Sequence, residues 1–316
     1  MPRLTIVVPA YNEAAVLETF HVRLNRVLDE LPMDCSVLYV DDGSSDDTWS
    51  LIEGLTARDA RTGAIKLSRN FGKEAALTAG LDHVDADAAV VIDADLQDPP
   101  ELIPSLVERW REGYDVVYAT RTAREGETAF KRLTASLFYR SMERLSETSV
   151  PRDTGDFRLL SRRALGALRQ LRERQRFMKG LFTWIGYRQT AVYYLREPRQ
   201  AGQTKWNYWR LMQLAIEGIT SFSTAPLRLA TWVGLLSSVL AFLYGLWVFG
   251  KAALHGDPVK GYPSLMVAIL FLGGVQLLAL GVIGEYLGRN YAEAKQRPLY
   301  FIEEWRRPRA EIRSPV

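Results

Sequence analysis

The side chains best suited to chemistry in this sequence are carboxylates that follow short apolar runs. Asp93 and Asp95 stand two positions apart, directly after the apolar run 88–92. Two carboxylates this close repel each other unless a cation lies between them, and oxygen ligands suit Mg²⁺ or Mn²⁺. Such a cation would in turn hold a diphosphate. Asp41 and Asp42 form a second acidic pair, also after an apolar run.

The order of the surrounding elements predicts an α/β domain with a mostly parallel sheet. Apolar, β-branched runs alternate with helical patterns, with strands predicted at 4–8, 36–40, 64–67 and 88–92 and helices at 12–30, 49–55 and 73–83. This spacing indicates right-handed βαβ crossovers. Ligands bind such sheets outside the carboxyl ends of the strands, where these polar clusters lie. From the residues alone, a solvated acidic turn at Asp93–Asp95 stays open as an alternative. Asp98, before two prolines, is predicted to cap a helix.

The composition excludes several classes of protein. The 316 residues are 47% hydrophobic and 24% charged, which are globular values. With 40 Lys and Arg against 37 Asp and Glu, the net charge of +3 indicates no dominant nucleic-acid-binding surface. The single cysteine, Cys35, excludes a disulfide framework and a cysteine-based zinc site.

Two uncharged runs near the C-terminus are long enough to cross a bilayer. They cover 22 positions at 229–250 and 24 positions at 261–284, and about 20 apolar residues suffice for a transmembrane helix. We predict transmembrane helices at about 229–250 and 263–286; a pair of buried core helices is the alternative. A short polar link between them predicts a hairpin with both chain ends on one side of the membrane.

The distribution of positive charge predicts the orientation of this hairpin. Arg228 precedes the first run, whereas only Lys251 and Lys260 lie in the link. Seven basic residues follow the second run: Arg289, Lys295, Arg297, Arg306, Arg307, Arg309 and Arg313. Because positive charge is retained on the cytoplasmic side, we predict a multi-pass cell-membrane protein with both termini and the large N-terminal domain in the cytoplasm. No N-terminal signal region is visible.

Several segments together resemble one enzyme family. They are Pro9–Glu13 (PAYNE), Val40–Thr48 (VDDGSSDDT), Asp93–Glu101 (DADLQDPPE) and Thr154–Arg158 (TGDFR), followed by the two apolar runs. The set resembles the inverting family-2 glycosyltransferases of the GT-A fold, and within them the polyprenyl-phosphate (bactoprenol) branch, with dolichol-phosphate mannose synthase as a cousin. The resemblance runs nearly end to end. It implies a Rossmann-like GT-A domain with a mostly parallel sheet, interfacial helices and a transmembrane hairpin.

The resemblance also implies how a nucleotide sugar would be bound. Tyr11 can stack on a base, and Glu13 can accept hydrogen bonds from ring or ribose groups. The implied nucleotide-sugar residues are Pro9, Tyr11, Asn12, Glu13, Asp41, Asp42, Asp93 and Ala94. The implied Mg²⁺ or Mn²⁺ ligands are Asp93, Asp95 and Gln97. Ordinary strand-ending turns and a capped helix start are the alternatives for the first two segments. For the segment 67–73, a role in positioning sugar or phosphate and a plain loop are equally open.

A lipid phosphate would need cationic partners, which the resemblance places downstream. The implied acceptor-phosphate residues are Arg121, Lys131, Arg132, Arg199 and Lys205. For Lys131 and Arg132 a solvated helix start is equally possible. Arg199 and Lys205 belong to an element that closes over the site in the family. The apolar stripe that follows, from Trp206 to Ile219, predicts a helix at the membrane interface, with a core-facing helix as the alternative.

Asp156, Asp95 and Arg158 are the predicted catalytic residues. In the family branch the residue matching Asp156 is the presumed general base. However, a phosphate monoester has a second pKa of about 6 and is largely ionised at neutral pH. Asp156 is therefore predicted to be essential, either as a base or because it orients the acceptor or holds Arg158.

The resemblance implies transfer of a hexose, with inversion, from a nucleotide sugar to undecaprenyl or another polyprenyl phosphate. UDP-glucose is the favoured donor, and GDP-mannose or another UDP-sugar is the alternative. A catalytically silent membrane scaffold is the alternative outside enzymes. We predict a catalytic domain at 1–200, interfacial helices at 201–227, the hairpin at 228–288 and a cytoplasmic tail at 289–316. Glycines 273, 274, 281, 284 and 288 would allow close helix packing within the hairpin or in a homo-oligomer.

Overall fold

The computed structural model describes residues 1–121, 154–174, 176–194, 225–255 and 261–309. The helices in these ranges are α1 (Leu17–Glu30), α2 (Thr48–Arg58), α3 (Lys73–Asp82), α4 (Ile103–Arg111), α5 (Arg162–Leu168), α6 (Met178–Trp184), α7 (Ala225–His255) and α8 (Tyr262–Ala294). The strands are β1 (Arg3–Ala10), β2 (Asp34–Asp41), β3 (Thr62–Leu67), β4 (Ala88–Val91), β5 (Val116–Arg121), β6 (Thr154–Ser161), β7 (Gln189–Tyr194) and β8 (Ile302–Arg306).

The described strands form one mixed sheet in the order β7-β5-β6-β4-β1-β2-β3-β8. The central strands β4, β1, β2 and β3 pair in parallel, as the βαβ pattern predicts. Two strands reverse this direction: β6 pairs antiparallel with β4 and β5, and β8 pairs antiparallel with β3. The result is the GT-A-like, mostly parallel α/β fold, with four parallel pairings and three antiparallel ones.

The centre of the sheet is buried on both faces, which explains why β1 and β4 are nearly continuous apolar runs. Helix α3 packs closely on it because Gly80 has no side chain. A Cβ at this position would collide with Val7 of β1 and would lie 3.0 Å from Val40 of β2. The buried Tyr39 hydroxyl on the opposite face lies 3.0 Å from Nδ1 of His21 on α1. This packing fixes the strand ends that carry the acidic residues.

The turn after β4 differs from the prediction at one residue. Asp98 does not cap the helix that follows, because Pro99 occupies the cap position and makes no side-chain cap. Instead the buried Asp98 carboxylate accepts a hydrogen bond from the hydroxyl of Tyr194 at the end of β7.

The chain divides into two compact units. One contains the sheet, its helices and the C-terminal segment from Arg297, so that β8 is the edge strand of the same sheet. The other contains α7 and α8, which include two stretches long and apolar enough to cross a membrane, Leu229–Trp247 and Val267–Ala294. The predicted interfacial helix at 206–219 lies outside the described residues.

Candidate active site

A cavity of about 300 Å³ opens at the carboxyl ends of β1, β2 and β4. Seven of the residues singled out in the sequence line it: Pro9, Tyr11, Glu13, Asp42, Asp93, Ala94 and Asp95. Asn70, Gly72, Lys73 and Ala76 complete much of the wall. The parallel arrangement of these strands brings the separate polar clusters to one edge, as expected for this class of sheet.

Lys73 is the central cation of the site. Its Nζ lies 2.7 Å from Oδ2 of Asp93 and 2.6 Å from Oδ2 of Asp156. These three residues come from the start of α3, the end of β4 and the start of β6, which are brought together because β6 pairs with β4. Partial burial opposes the charged form of Lys73, but the two carboxylates prevail and raise its pKa. The ammonium therefore stays charged and joins the two acids.

Asp156 and Arg158 lie two positions apart on β6 and so share one face of the strand. The Arg158 guanidinium is buried; it donates to the carbonyl oxygens of Gly155 at 2.8 Å and Asp156 at 3.3 Å and lies 4.0 Å from the centre of the Phe182 ring. Burial lowers the pKa of Arg158 to about 10, which leaves it charged at neutral pH. The buried positive charge of Arg158 is one of the charges that lower the pKa of the Asp156 carboxyl.

The Asp156 carboxylate is ionised at neutral pH. Burial disfavours its charge, but the neighbouring cations, Lys73 above all, lower its pKa below the ordinary value. Its second oxygen, Oδ1, is buried and has no hydrogen-bond partner within the described part of the chain. A carboxylate with a lowered pKa is a weak proton acceptor, because a general base works best with a pKa near the working pH.

Glu74, next to Lys73, is a second acidic residue with an altered pKa. Burial and the charge of Asp156 raise its pKa to about 7, and its Oε2 accepts a hydrogen bond from the Met178 backbone N–H at 3.3 Å. The group therefore changes its protonation near neutral pH. Asp93 also has a raised pKa, because its partial burial disfavours the charged form more than Lys73 favours it.

The two acids at the carboxyl end of β2 have different roles in the fold. Asp42 lines the cavity and accepts hydrogen bonds from the backbone N–H groups of Phe71 at 2.8 Å and Gly72 at 2.9 Å. Asp41 is fully buried and accepts from the Ser44 backbone N–H at 3.3 Å. Burial raises the pKa of both. Asp42 thus fastens the loop between β3 and α3 to the floor of the cavity.

The segment after β1 is held by the turn after β2. Asn12 has a positive φ of 55°, and its Oδ1 accepts a hydrogen bond from the Ser45 backbone N–H at 2.8 Å. The Glu13 N–H donates to the Thr48 hydroxyl at 2.9 Å. Tyr11 is 46% exposed at the cavity wall, so its ring offers a free face for stacking. Asn12 shapes the turn and is not among the lining residues.

The carboxylates fit a divalent cation that is shared with a substrate phosphate. Asp93 and Asp95 both line the cavity, and Leu96 takes a positive φ of 59° that turns the chain sharply after them. Within the described ranges no group of three His, Cys, Asp or Glu side chains forms a complete metal cage. Mg²⁺ is commonly held by one or two carboxylates together with substrate phosphates, so Asp93 and Asp95 are enough protein ligands for it. Gln97 is buried, and its Oε1 has no hydrogen-bond partner among the described residues, but it does not line the cavity.

The predicted acceptor residues are mostly outside the described part of the chain. Lys131, Arg132, Arg199 and Lys205 lie in undescribed ranges, and Arg121 is the last residue of β5. In contrast, Lys73 and Glu74 belong to the site although the sequence suggested no definite role for them. The signal that could have found them is the position of Gly72-Lys73-Glu74 after the strand at 62–67, at the same sheet edge as the acids.

Comparison with known families covers both units. A model described as glycosyl transferase family 2 matches residues 5–169, and one described as the GtrB C-terminal hairpin matches residues 225–289. The first range includes the strands that build the cavity, and the second includes α7 and most of α8. The two apolar helices, together with the hairpin match, associate the chain with a membrane.

Curated relatives match over nearly the whole chain. An uncharacterized glycosyltransferase of Synechocystis sp. is 53% identical over 301 residues, covering 95% of both chains. A bactoprenol glucosyl transferase of Shigella phage SfV is 45% identical over 301 residues, covering 95% of this chain and 98% of its own.

Among solved structures, mannosyl-3-phosphoglycerate synthase from Rubrobacter xylanophilus matches with a TM-score of 0.48 at 17% identity, covering 70% of this chain and 73% of its own. Glucosyl-3-phosphoglycerate synthase from Mycobacterium tuberculosis, in complex with Mn²⁺, UDP and phosphoglyceric acid, matches with a TM-score of 0.46 at 23% identity, covering 69% and 76%.

Proposed function

Since the chain belongs to glycosyl transferase family 2, and is a glycosyltransferase by that membership, we propose that it transfers glucose from UDP-glucose to a polyprenyl phosphate, with inversion at the anomeric carbon. The observation that carries the choice of acceptor is the 45% identity to a bactoprenol glucosyl transferase, which extends over both the catalytic unit and the hairpin. A membrane-associated chain is the form expected of an enzyme whose acceptor is anchored in lipid.

The donor would bind in the cavity at the strand ends. Tyr11 offers a ring face to the base, and Glu13 and Asp42 offer carboxylate oxygens to base or ribose donors. The cavity wall also carries Lys73, which supplies positive charge for a diphosphate. This combination of a stacking face, acceptors and a cation matches the base, the ribose and the diphosphate of a nucleotide sugar.

Asp93 and Asp95 are the residues that would hold Mg²⁺ or Mn²⁺, jointly with the diphosphate of the donor. When bound, the cation would offset the negative charge that develops on the leaving group. Lys73 already pairs with Asp93, so its ammonium is placed to contribute to the same charge compensation. Gln97 does not line the cavity, so it would support the metal site through the turn that carries Asp93 and Asp95.

The nucleophile would be an oxygen of the acceptor phosphate. It attacks the anomeric carbon while the bond from that carbon to the diphosphate oxygen breaks, and the products are a glycosyl phosphodiester and a nucleoside diphosphate. Because the phosphate monoester is largely ionised at neutral pH, no strong base is needed. We therefore assign Asp156 a positioning role: its carboxylate holds the Lys73 ammonium, and Arg158 is hydrogen-bonded to its backbone carbonyl. The lowered pKa of Asp156 supports this role over that of a general base.

The acceptor side and the topology are also part of the proposal. Arg121, Lys131, Arg132, Arg199 and Lys205 would bind the lipid phosphate. The excess of positive charge on both flanks of the hairpin favours a cytoplasmic catalytic unit at the cell membrane, with both termini on that side. The glycines of α8 are compatible with a homo-oligomer.

Assay of the purified full-length protein with short-chain polyprenyl phosphate and Mg²⁺ tests this function. Separate reactions with UDP-glucose, UDP-galactose, UDP-N-acetylglucosamine and GDP-mannose would identify the donor, and Asp95→Asn is the inactive control. We expect a lipid-linked glucose from UDP-glucose only. Preference for GDP-mannose would overturn the donor assignment, and the absence of any lipid-linked sugar would favour a catalytically silent scaffold.

A further inference from the structure

The C-terminal segment that precedes β8 contacts the loop beneath the donor cavity. Strand β8 pairs antiparallel with β3, with Leu67 opposite Ile302. The contact continues one residue beyond each strand, because the Ser68 backbone N–H donates to the Phe301 carbonyl at 3.0 Å. Thus the residue that precedes β8 reaches the start of the loop 68–72.

The Phe301 ring holds the middle of that loop. Its centroid lies 6.2 Å from that of Phe71, with the rings tilted by 52°, and the Arg69 guanidinium lies 4.4 Å from the Phe71 ring centre. Phe71 is therefore in contact with Arg69 and Phe301. Its backbone N–H, together with that of Gly72, is hydrogen-bonded to the Asp42 carboxylate.

The neighbouring residue anchors this segment to the far end of α3. The Tyr300 hydroxyl donates to Asp82 Oδ2 at 2.9 Å, and Asp82 is the last residue of the helix that begins with Lys73. Residues 300–301 thus contact both the loop that precedes Lys73 and the end of the helix that carries it.

We propose that Phe301 is a positioning residue for the nucleotide-sugar donor: by packing on Phe71 it fixes the loop 68–72, and through it the orientation of Asp42 and Lys73 in the cavity. This inference rests on the proposed function, because it concerns the donor site of that reaction. Phe301 does not line the cavity and acts only through Phe71. Its effect should consequently fall on donor affinity more than on the chemical step.

The test compares Phe301→Ala and Phe301→Leu with Trp305→Ala in the full-length protein. Phe301→Ala removes the ring but keeps the backbone hydrogen bond to Ser68. Trp305 lies on β8, which Phe301 directly precedes, and it contacts His83, with ring centroids 4.5 Å apart, so it serves as the control for loss of an aromatic residue from the same segment. Binding of UDP with Mg²⁺ is measured by calorimetry, KM and kcat are measured for UDP-glucose, and hydrogen exchange is followed at Phe71 and Gly72.

We expect Phe301→Ala to raise the Kd for UDP and the KM for the donor by about fivefold, the size expected for one aromatic pair, with kcat within twofold. The Phe71 and Gly72 amides should exchange faster, Phe301→Leu should recover most of the affinity, and Trp305→Ala should bind UDP as the wild type does. Equal UDP affinity and equal amide protection in Phe301→Ala and the wild type would overturn the inference alone. If the wild type binds neither UDP nor GDP, the proposed function fails, and the inference fails with it.

Discussion

Replacing Lys73 with alanine should produce two opposite effects, on metal affinity and on turnover. The Lys73 ammonium lies 2.7 Å from Asp93 and 2.6 Å from Asp156. A divalent cation that binds Asp93 must compete with this ammonium. Without Lys73 no ammonium competes for Asp93, so the nucleotide-free protein should bind a divalent cation more tightly, while transfer becomes slower because the diphosphate loses a cationic partner.

The magnitude follows from the geometry. A hydrogen bond to a charged group contributes about 1.5–3 kcal/mol, and the lower value applies because 44% of the Lys73 side chain is exposed. About 1.4 kcal/mol corresponds to a tenfold change in affinity, so Lys73→Ala should lower the Kd for Mn²⁺ by about tenfold. Loss of one preorganised donor to a developing negative charge lowers kcat by about 10²–10³-fold.

Electron paramagnetic resonance of free Mn²⁺ measures the affinity without nucleotide, and steady-state assay with UDP-glucose measures kcat. The matched control is Lys66→Ala: Lys66 Nζ pairs with Glu303 at 3.1 Å, and Lys66 is not a residue of the cavity wall. This variant should leave both quantities within twofold. Wild-type Mn²⁺ affinity together with near-wild-type turnover in Lys73→Ala would refute the reasoning.

Three further predictions concern Gly43 beside the loop 68–72, the acidic residue Glu74 and the packing of α3. Gly43 has a φ of 66°, and a Cβ there would lie 2.5 Å from the Arg69 backbone; Gly43→Ala should weaken UDP binding at least tenfold, measured by calorimetry, and unchanged affinity would contradict the close approach. Burial raises the pKa of Glu74 to about 7, so its contribution to stability is present in the protonated form and is lost as the pH rises through 7. The stability of Glu74→Gln relative to the wild type should therefore increase from pH 5 to pH 8, by at most about 3 kcal/mol in thermal unfolding; a pH-independent difference would contradict it. Gly80→Ala should lower the free energy of unfolding by about 1–3 kcal/mol because the new methyl group collides with Val7, and an unchanged Tm would contradict the packing.

The central part of the fold could be predicted from the sequence because its signals are local. Each of β1 to β4 is an apolar run that ends in a polar cluster, and parallel strands bring such ends to one edge. Strands β1, β2 and β3 extend the predicted runs by a few residues, as β1 does from 4–8 to Arg3–Ala10, since the added residues pair in register with β2. Strand β4 instead ends at Val91, one residue before the end of the predicted run 88–92.

The remaining parts depend on contacts between distant segments. Residues 154–158 are recognisable as a motif, but its place as an antiparallel strand beside β4 is set by pairing with residues 88–91, far away in the chain. This pairing brings Asp156 to Lys73, which explains why the ion pair could not be predicted. Similarly, the segment at 289–316 has the composition of a basic tail, whereas its residues 302–306 pair with β3.

The most direct test of the account is the identity of the lipid product and its dependence on the cavity carboxylates. Purified wild-type protein is incubated with UDP-glucose, Mg²⁺ and polyprenyl phosphate, and the product is analysed by mass spectrometry and by NMR of the anomeric proton. We expect a single glucose joined to the lipid phosphate with inverted anomeric configuration, and no product from Asp95→Asn. A retained configuration, or undiminished product from Asp95→Asn, would contradict the account.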